Sequence, residues 1–199
     1  MKVERLSREH KDQVVETFIS AFRNYPVMRF VLSDSGSEYE DNLKALIGFY
    51  CELRLMRNWP VLAIRAEDNL VAAALVNNPV EKPLPLPNEL LDQLRKIIGE
   101  SAYKRLETYE KISAEGEPPF PHHFLGMIGV HPDFQGKGYA AALLREVNRM
   151  SSQDPKSAGV CLSTEDPGNV RIYQHFGFRT ISETDVGDMH SWCMFCPTK

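Results

Sequence analysis

Cysteine, surplus positive charge and long apolar runs are all scarce in this sequence, and each absence excludes a class of protein. Only four of its 199 residues are cysteine, too few for the disulfide framework of a small secreted protein, so we expect reduced thiols. The 23 Lys and Arg residues are outnumbered by 27 Asp and Glu residues, which argues against the clustered basic surface of a nucleic-acid-binding protein. No apolar run reaches the ~18 residues of a membrane span, and Met1–His10 lack the apolar core of a signal peptide. We therefore expect a cytoplasmic protein that binds neither nucleic acid nor membrane.

The residues that are present have the composition of an ordinary folded domain. Hydrophobic residues make up 43% of the chain and charged residues 25%, unlike the polar composition of disordered chains. The length is below the ~250 residues at which chains usually divide into several domains. We therefore predict one domain over residues 1–199.

The first part of the chain predicts two helices and a hairpin. Apolar residues recur every three or four positions in Val14–Phe22 and again from about Glu38 to Arg57, as on amphipathic helices. Val61–Ala66 and Leu70–Val76 are short apolar runs separated by polar residues, which is typical of an antiparallel hairpin. A proline-rich connector at Pro83, Pro85 and Pro87 then leads to further helical patterns. We predict a helical insertion at about 80–120, which is either a cap on the sheet or a substrate lid.

The second part predicts alternating strands and helices. A turn containing Pro132 separates the first strand from the first helix. The predicted segments are a strand at Phe124–Val130, a helix at Gly138–Met150, a strand at Ala158–Leu162, a helix at Asn169–Phe176, and closing strands at Phe178–Ile181 and Met189–Phe195.

The loop Gln135–Ala140, between a strand and a helix, predicts an anion site. The first turn of a helix leaves backbone N–H groups unpaired and carries the positive end of the helix dipole. Gly136 and Gly138 let that backbone approach a phosphate closely. The loop lacks G-x-G-x-x-G and does not end in Gly-Lys-Ser/Thr, so neither a dinucleotide fingerprint nor a P-loop is present.

The residues around this loop resemble the first signature of the GNAT superfamily of acetyl-CoA-dependent N-acetyltransferases. In that family a V-x-P turn, here Val130 to Pro132, precedes the pattern Q/R-x-x-G-x-G/A. Gln135, Gly138 and Ala140 match its fixed positions. The resemblance implies that the loop amides hold the pyrophosphate of coenzyme A and that the strand end pairs with the pantetheine arm. The cofactor-binding residues it implies here are Ile128, Gly129, Val130, Gln135, Gly136, Lys137, Gly138, Tyr139 and Ala140.

A second segment resembles the other signature of the family, N-x-x-x-Y-x-x-x-G-F. Asn169, Tyr173, Gly177 and Phe178 match it. A spacing of four places Asn169 and Tyr173 on one helix face, so both can address one ligand. The resemblance implies that Asn169 contacts the pantetheine arm or the helix start, and that Tyr173 is the catalytic acid at the thiol, which suits a phenol.

The catalytic base is less clearly marked. An alkyl amine of pKa about 10.4 costs roughly 4.6 kcal/mol to deprotonate at pH 7, so a base is useful. The candidates are His122, His123 and Glu165; successive strand residues face opposite sides, so only one histidine can face the cleft. The string from His122 to Gly126 resembles the H-W-Y-L-G entry of puromycin-type antibiotic acetyltransferases, which favours His122. Those enzymes often have L-E-T where this chain has Leu162–Thr164 with serine in the middle, so an antibiotic substrate does not follow.

His190, Cys193 and Cys196 have the residue types of a zinc site but not its pattern. Strand positions three apart face opposite sides, and structural zinc normally takes four ligands. We predict that no metal is bound.

Together the two signatures imply a mixed α/β (α+β) GNAT fold, with a mostly antiparallel sheet of six or seven strands flanked by helices. The resemblance places the cofactor where two central parallel strands, near Val130 and near Leu162, separate. It implies acetyl transfer from acetyl-CoA to the primary amine of a small molecule by direct attack in a ternary complex, with a backbone N–H near Val130 at the oxyanion. Two alternatives stay open: an enzyme that acts on protein termini or lysines, and a non-catalytic acyl-CoA-binding sensor. The protein is expected to be a monomer or a homodimer.

Overall fold

The computed structural model describes residues 1–82 and 84–198, and these form seven strands and six α-helices. Short 3-10 turns at Arg8–His10, Gly36–Glu38 and Pro132–Phe134 precede three of the helices. In chain order the elements are β1 (Glu4–Arg5), α1 (Lys11–Phe22), α2 (Pro26–Val31), α3 (Tyr39–Met56), β2 (Val61–Ala66), β3 (Asn69–Asn77), α4 (Asn88–Glu115), β4 (His123–Val130), α5 (Tyr139–Gln153), β5 (Gly159–Thr164), α6 (Pro167–His175), β6 (Arg179–Val186) and β7 (Met189–Pro197).

All strands belong to one sheet of order β1-β2-β3-β4-β5-β7-β6. The predicted hairpin is confirmed, because β2 and β3 pair antiparallel. The pair β4 and β5 is parallel, whereas the other neighbours are antiparallel. The predicted mixed, mostly antiparallel sheet is therefore confirmed, with seven strands.

The parallel strands β4 and β5 separate soon after they begin. Only His123 with Val160 and Phe124 with Cys161 are paired along them in the described residues. Beyond Phe124 the edge of β4 that faces β5 has no strand partner in the described sheet, so a gap opens in its middle. The gap lies toward the carboxyl ends of both strands, as predicted.

A bulge in β4 adds to this irregularity. Met127 pairs with Leu75 but Leu125 pairs with Val76, so Gly126 is an extra residue in β4. Side chains in a regular strand alternate between faces, and the extra residue reverses the alternation. Leu125 consequently packs in the cluster beside α5, whereas Met127 packs in the cluster under α1, α3 and α4.

The two faces of the sheet carry two apolar clusters. Alternate residues of β3 contribute to both, with Ala73 and Leu75 on one face and Ala72 and Ala74 on the other. Helix α1 lies especially close to β4, because a Cβ on Gly129 would be 2.9 Å from the Cβ of Ala21. Within the part of the chain that is described, no helix is both long and apolar enough to span a membrane.

The segment predicted as a helical insertion contains α4, which begins at Asn88 after the proline-rich connector; Pro83 of that connector lies outside the described residues. Gly99 interrupts the helix with φ 81° and ψ 163°, a conformation in which only glycine is unstrained. Leu94, Ile98 and Leu106 are buried in the cluster on the α3 side of the sheet. Helix α4 is therefore part of the core as well as an outer layer.

The prediction ended β6 too early. It set the last residue at Ile181, whereas the strand continues to Val186. It is an edge strand that pairs only with β7 in the described sheet. Its added residues Ser182, Glu183 and Thr184 are polar because one face of the strand is open to solvent. A search for apolar runs ends before such residues.

Candidate active site

A cavity of about 930 Å³ occupies the gap between β4 and β5 and extends beneath α3 and α4. Such a volume is typical of a small-molecule site. It brings together eleven residues that the sequence marked from separate segments: Ile128, Gly129, Val130, Gln135, Gly136, Gly138, Tyr139, Ala140, Glu165, Asn169 and Tyr173. Of the predicted set, Lys137 and His122 do not line it.

The loop that joins β4 to α5 forms one end of the cavity. Gln135 donates from Nε2 to the carbonyl oxygen of Val130 at 3.3 Å, which ties the loop to the strand end. Gly136 and Gly138 have φ of 74° and 83°, in the left-handed region that glycine tolerates best. The side chain of Lys137 turns back, with Nζ 4.8 Å from the ring centroid of Phe134. Lys137 therefore takes part in the loop through its backbone.

The backbone N–H groups of residues 136–141 have no hydrogen-bond acceptor in the described part of the chain. The first bond into α5 runs from the Ala142 N–H to the Gly138 carbonyl at 3.1 Å. These unpaired N–H groups lie at the amino-terminal end of α5, which is the positive end of its dipole. The loop therefore fits a phosphate or pyrophosphate group, with no side chain on Gly136 or Gly138 to obstruct it.

Tyr173 lies on α6 at the other side of the gap. It is only 9% exposed, packs against Phe178 at 5.8 Å between ring centroids, and its hydroxyl makes no hydrogen bond to the described residues. Burial raises the pKa of Tyr173, and the charge of Glu165 raises it further. The hydroxyl is therefore protonated at neutral pH and free to donate.

Asn169 is positioned by the start of the same helix. Asp166 caps α6 by accepting the Gly168 N–H at 2.8 Å, and the Asn169 N–H donates to the Asp166 carbonyl at 3.0 Å. The Asn169 side chain donates from Nδ2 to Thr164 Oγ1 at 3.4 Å. Asn169 and Tyr173 thus both reach the cavity from α6.

Glu165 follows β5 and is almost fully buried, at 6% exposure. Its Oε1 accepts hydrogen bonds from the Tyr109 hydroxyl at 2.8 Å and from Ser191 Oγ at 2.9 Å. The hydroxyl of Tyr25 accepts the Glu165 backbone N–H at 3.2 Å. Burial raises the pKa of the Glu165 carboxyl although these hydrogen bonds lower it. A raised pKa brings a carboxylate closer to the basicity that proton transfer at neutral pH requires.

The two histidines occupy different surroundings, and neither lines the cavity; His122 lies just before β4, which begins at His123. His123 is buried and lies with Nδ1 2.9 Å from Ser157 Oγ, and burial lowers its pKa. His122 has Nδ1 2.7 Å from the Phe120 carbonyl oxygen and Nε2 3.5 Å from Glu117. Burial lowers the pKa of His122, but these two partners outweigh it and the pKa is raised. Glu117, unlike His122, lines the cavity.

Several lining residues carry no motif and were missed. Tyr25 precedes α2, Arg54 lies on α3, and Tyr109 and Glu110 lie on α4. Their positions become visible only when the helices are packed on the sheet. One signal was available, because Arg54 interrupts the apolar stripe of its helix four residues after Tyr50.

The histidine and cysteine residues near the carboxyl end have other partners. His190 lies with its ring nitrogens 2.7 Å from Asp185 and 3.1 Å from Glu183, and Cys193 Sγ is 3.5 Å from Cys161 Sγ. Among the described residues no group of three or more His, Cys, Asp or Glu is arranged to hold a metal ion.

Comparison with known proteins identifies the fold. Residues 90–180 match the sequence model of the family described as the acetyltransferase (GNAT) domain. The structure of a protein named histone acetyltransferase HPA2 and related acetyltransferase, from Corynebacterium glutamicum, superposes with a TM-score of 0.74 at 19% identity, covering 100% of this chain and 96% of that one. A polyamine N-acetyltransferase from Drosophila melanogaster gives 0.65 at 14% identity, with 98% and 97% covered. A mosquito arylalkylamine N-acetyltransferase-like protein gives 0.62 at 11% identity, with 97% and 98% covered.

At these identities the solved structures show a shared fold. The matched family model covers α4 to the start of β6, which includes the loop before α5, the gap between β4 and β5, and Tyr173 on α6. Sequence match and architecture therefore agree on the same central segment: residues 90–180 match the acetyltransferase (GNAT) domain, and the chain has the GNAT fold.

Proposed function

We propose that the protein is an N-acetyltransferase that transfers the acetyl group of acetyl-CoA to a primary amine of a small molecule. One observation carries the proposal: a single cavity joins the free amides before α5, the open edge of β4 and the buried hydroxyl of Tyr173. The names of the polyamine and arylalkylamine relatives support an amine as acceptor.

Coenzyme A is expected to lie along the opened edge of β4. The amides of residues 136–141 receive the pyrophosphate, since they are unpaired and carry no obstructing side chain at Gly136 or Gly138. Backbone groups of Ile128 to Val130 receive the pantetheine arm, because β5 has moved out of pairing distance there. Acetyl-CoA supplies the activated thioester.

The chain's own residues move two protons. Tyr173 donates its phenolic proton to the departing sulfur, for which burial has kept it protonated. Glu165 accepts the proton of the attacking amine and is held in place by Tyr109 and Ser191. A backbone N–H near Val130 stabilises the oxyanion of the tetrahedral intermediate. His122 does not line the cavity, so it can influence the reaction only through Glu117, its partner at the cavity wall.

A protein or peptide acceptor is the second candidate. Helix α4 contributes Glu107 and Glu110 to the cavity wall, and Glu117 follows just after it. An acidic wall along an inserted helix suits a lysine-containing or basic peptide as well as a free amine. The name of the Corynebacterium glutamicum relative includes a histone acetyltransferase, which supports including peptides in the test.

The proposal is tested by thiol release from acetyl-CoA over a panel of small amines and basic peptides, with wild type and Tyr173→Phe. We expect turnover on at least one small amine, and a fall in kcat of about 100-fold or more in the variant, the usual contribution of a general acid. Phenylalanine keeps the ring against Phe178, so the affinity for coenzyme A should change little.

Tyr139→Phe is the matched control, since Tyr139 lines the same cavity from α5 and is given no proton to donate. It should keep most of the wild-type kcat. Coenzyme A binding without turnover on any amine or peptide would identify the sensor instead, and a folded protein that does not bind coenzyme A would contradict the proposal. Turnover on peptides alone would support the second candidate.

A further inference from the structure

Arg54 is a buried arginine on the cavity wall with unused hydrogen-bonding capacity. It is 5% exposed, and its Nη1 donates to the Tyr50 carbonyl at 3.2 Å. Its Nε has no partner in the described part of the chain, and no described carboxylate forms an ion pair with it. A buried charge without a close counter-charge is costly, so the position indicates a missing anionic partner.

Two further residues of the same cavity wall each have a buried polar atom without a partner. Four buried side-chain nitrogen or oxygen atoms lack a partner in the described residues: Arg54 Nε, Asn77 Oδ1, Ser113 Oγ and Asn148 Oδ1. All but Asn148 belong to residues of the cavity wall. Such atoms are rare in folded proteins, and their concentration in one cavity points to a polar ligand. Arg54 and Ser113 offer donors, whereas Asn77 offers an acceptor.

The bulge in β4 makes room for the arginine. A Cβ on Gly126 would lie 2.6 Å from Arg54 Nη2, so only glycine allows the guanidinium to approach the strand there. Gly126 precedes Ile128 by two residues, or roughly 7 Å along a strand. The arm of coenzyme A is proposed to run from the loop before α5 toward Ile128. Arg54 therefore lies beyond its reactive end, in the part of the cavity left to the acceptor.

The other groups near Arg54 shape the rest of the ligand. The carboxylate of Glu110 attracts Arg54 from a distance. The hydrogen bond that Glu110 Oε1 accepts comes from the Tyr50 hydroxyl. Glu165 is held by Tyr109 and Ser191 on the β5 side. The α4 side of the wall also carries Glu107 and Glu117, and the apolar side chains of the wall include Phe22, Phe49, Leu53, Tyr103 and Leu106. The walls thus suit an apolar or aromatic body.

We propose that Arg54, together with Ser113, binds a carboxylate of the acceptor, so that the acceptor combines an amine, an apolar or aromatic body and a carboxylate. Asn77 accepts an N–H of the same molecule. This inference rests on the proposed N-acetyltransferase function and names the substrate class of the same site. It makes Arg54 a specificity-determining residue.

The test compares amino acids with the amines that lack only the carboxylate, such as phenylalanine with phenethylamine and leucine with isoamylamine, and includes β- and γ-amino acids. The ratio of kcat/KM within each pair is measured for wild type, Arg54→Met, Arg54→Lys and Arg57→Met. In at least one pair, wild type should have a higher kcat/KM for the compound with the carboxylate than for the amine that lacks it. Arg54→Met should reduce that ratio by about 10- to 100-fold, as expected for one charge-assisted hydrogen bond, and Arg54→Lys should restore part of it.

Arg57→Met is the matched control, because Arg57 also lines the cavity but its Nη2 already donates to the carbonyls of Leu84 and Pro85. It should leave the ratio unchanged. If Arg54→Met does not fold, Gly126→Ala is used, since its Cβ displaces the guanidinium while the charge remains. An unchanged ratio in the folded Arg54 or Gly126 variants, or a wild-type preference for the decarboxylated amines, would overturn the inference.

Calorimetry with the N-acetylated amino acids separates this inference from the proposed function. Wild type should bind them about 10- to 100-fold more tightly than Arg54→Met does, whether or not turnover is seen. Absence of turnover with tight, Arg54-dependent binding would defeat the proposed function and leave the carboxylate site standing. Absence of binding to every such compound would defeat the carboxylate site alone.

Discussion

At the scale of single residues, Glu165 determines how the proposed reaction should depend on pH. A general base must be deprotonated, so the rate falls as pH falls through its pKa. Burial raises the pKa of Glu165 above the ordinary carboxyl value of about 4.3. We expect kcat/KM of wild type to have an acid limb displaced upward from that value. Glu165→Gln should lose this limb, with a rate lower by about 100-fold or more.

The measurement is a pH–rate profile at saturating acetyl-CoA for both proteins, with Glu110→Gln as control. Glu110 is another glutamate of the cavity wall, at an exposed position of α4; desolvation by the surrounding protein raises the pKa of its carboxyl, but it accepts its hydrogen bond from Tyr50. Its variant should keep the acid limb. An unaltered profile in Glu165→Gln would transfer the role of base to His122 or to water.

At the scale of elements, the loop before α5 is expected to bind through its backbone, and glycine exchange tests this. Gly136→Ala and Gly138→Ala each place a Cβ at a φ that L-residues rarely adopt, which costs about 1–2 kcal/mol of stability. We also expect the affinity for coenzyme A to fall at least tenfold, because the amides are displaced. Isothermal titration with coenzyme A and urea denaturation measure the two effects.

Gly36→Ala is the control for that experiment. Gly36 also has a positive φ, 53°, with open space around its position, but it precedes α3 away from the cavity. It should lose similar stability and keep the wild-type affinity. Equal losses of affinity in all three variants would mean that general destabilisation, and not the loop, explains the effect.

The break in α4 is a second feature of this scale. Gly99 has φ 81° and ψ 163°, so Gly99→Ala should cost about 1–3 kcal/mol of stability. Gly48, in the regular interior of α3 with open space around it, gives the opposite expectation. Gly48→Ala should stabilise the protein by about 0.4–1 kcal/mol, because alanine restricts the unfolded chain. Urea denaturation of both variants checks the contrast, and stabilisation by Gly99→Ala would show that α4 is continuous.

At the scale of the whole molecule, the shared sheet predicts one cooperative unfolding transition. Strands such as β3 contribute alternate residues to both apolar clusters, so loss of one cluster removes support from the other. The two tryptophans provide separate probes: Trp59 is buried after α3, and Trp192 packs against the cluster beside α5. Thermal unfolding followed through the remaining tryptophan of Trp59→Phe and of Trp192→Phe should give the same midpoint, once the effect of each substitution on stability is subtracted. Two separate transitions in the wild type, which has both tryptophans, would indicate two folding units.

Coenzyme A should stabilise that single unit. A ligand at 100 times its Kd adds about 2.7 kcal/mol, or roughly 5–10 °C in Tm for a chain of this size. The shift should be smaller in Gly138→Ala at the same ligand concentration, because fewer loop amides remain in place. No shift in wild type at any concentration would contradict coenzyme binding.

The parts that sequence reasoning predicted well are those in which local chemistry and tertiary structure agree. Periodic apolar residues marked α1, α3 and the hairpin, and both signatures fall on the elements expected of them. The short helix α2 and the two-residue strand β1 were not predicted, because they are too short to show a periodic pattern of apolar residues. The polar end of β6 was not predicted, because its outer face is open to solvent. Helix α4 was recognised as helical, but its buried face was visible only in the packed chain.

The sequence by itself predicted the GNAT fold through the resemblance of its two signatures to that superfamily. It also marked the loop from Gln135 to Ala140 through its glycines, and Asn169 and Tyr173 through their spacing along one helix. Only the tertiary structure decided which residues meet across the gap between β4 and β5. It brought Glu165 and Arg54 to the cavity wall, because burial, and not local pattern, distinguishes a side chain in a site from one on a surface. His122 and His123 are neighbours in sequence with opposite surroundings, and no motif reveals that His122 reaches the cavity only through Glu117.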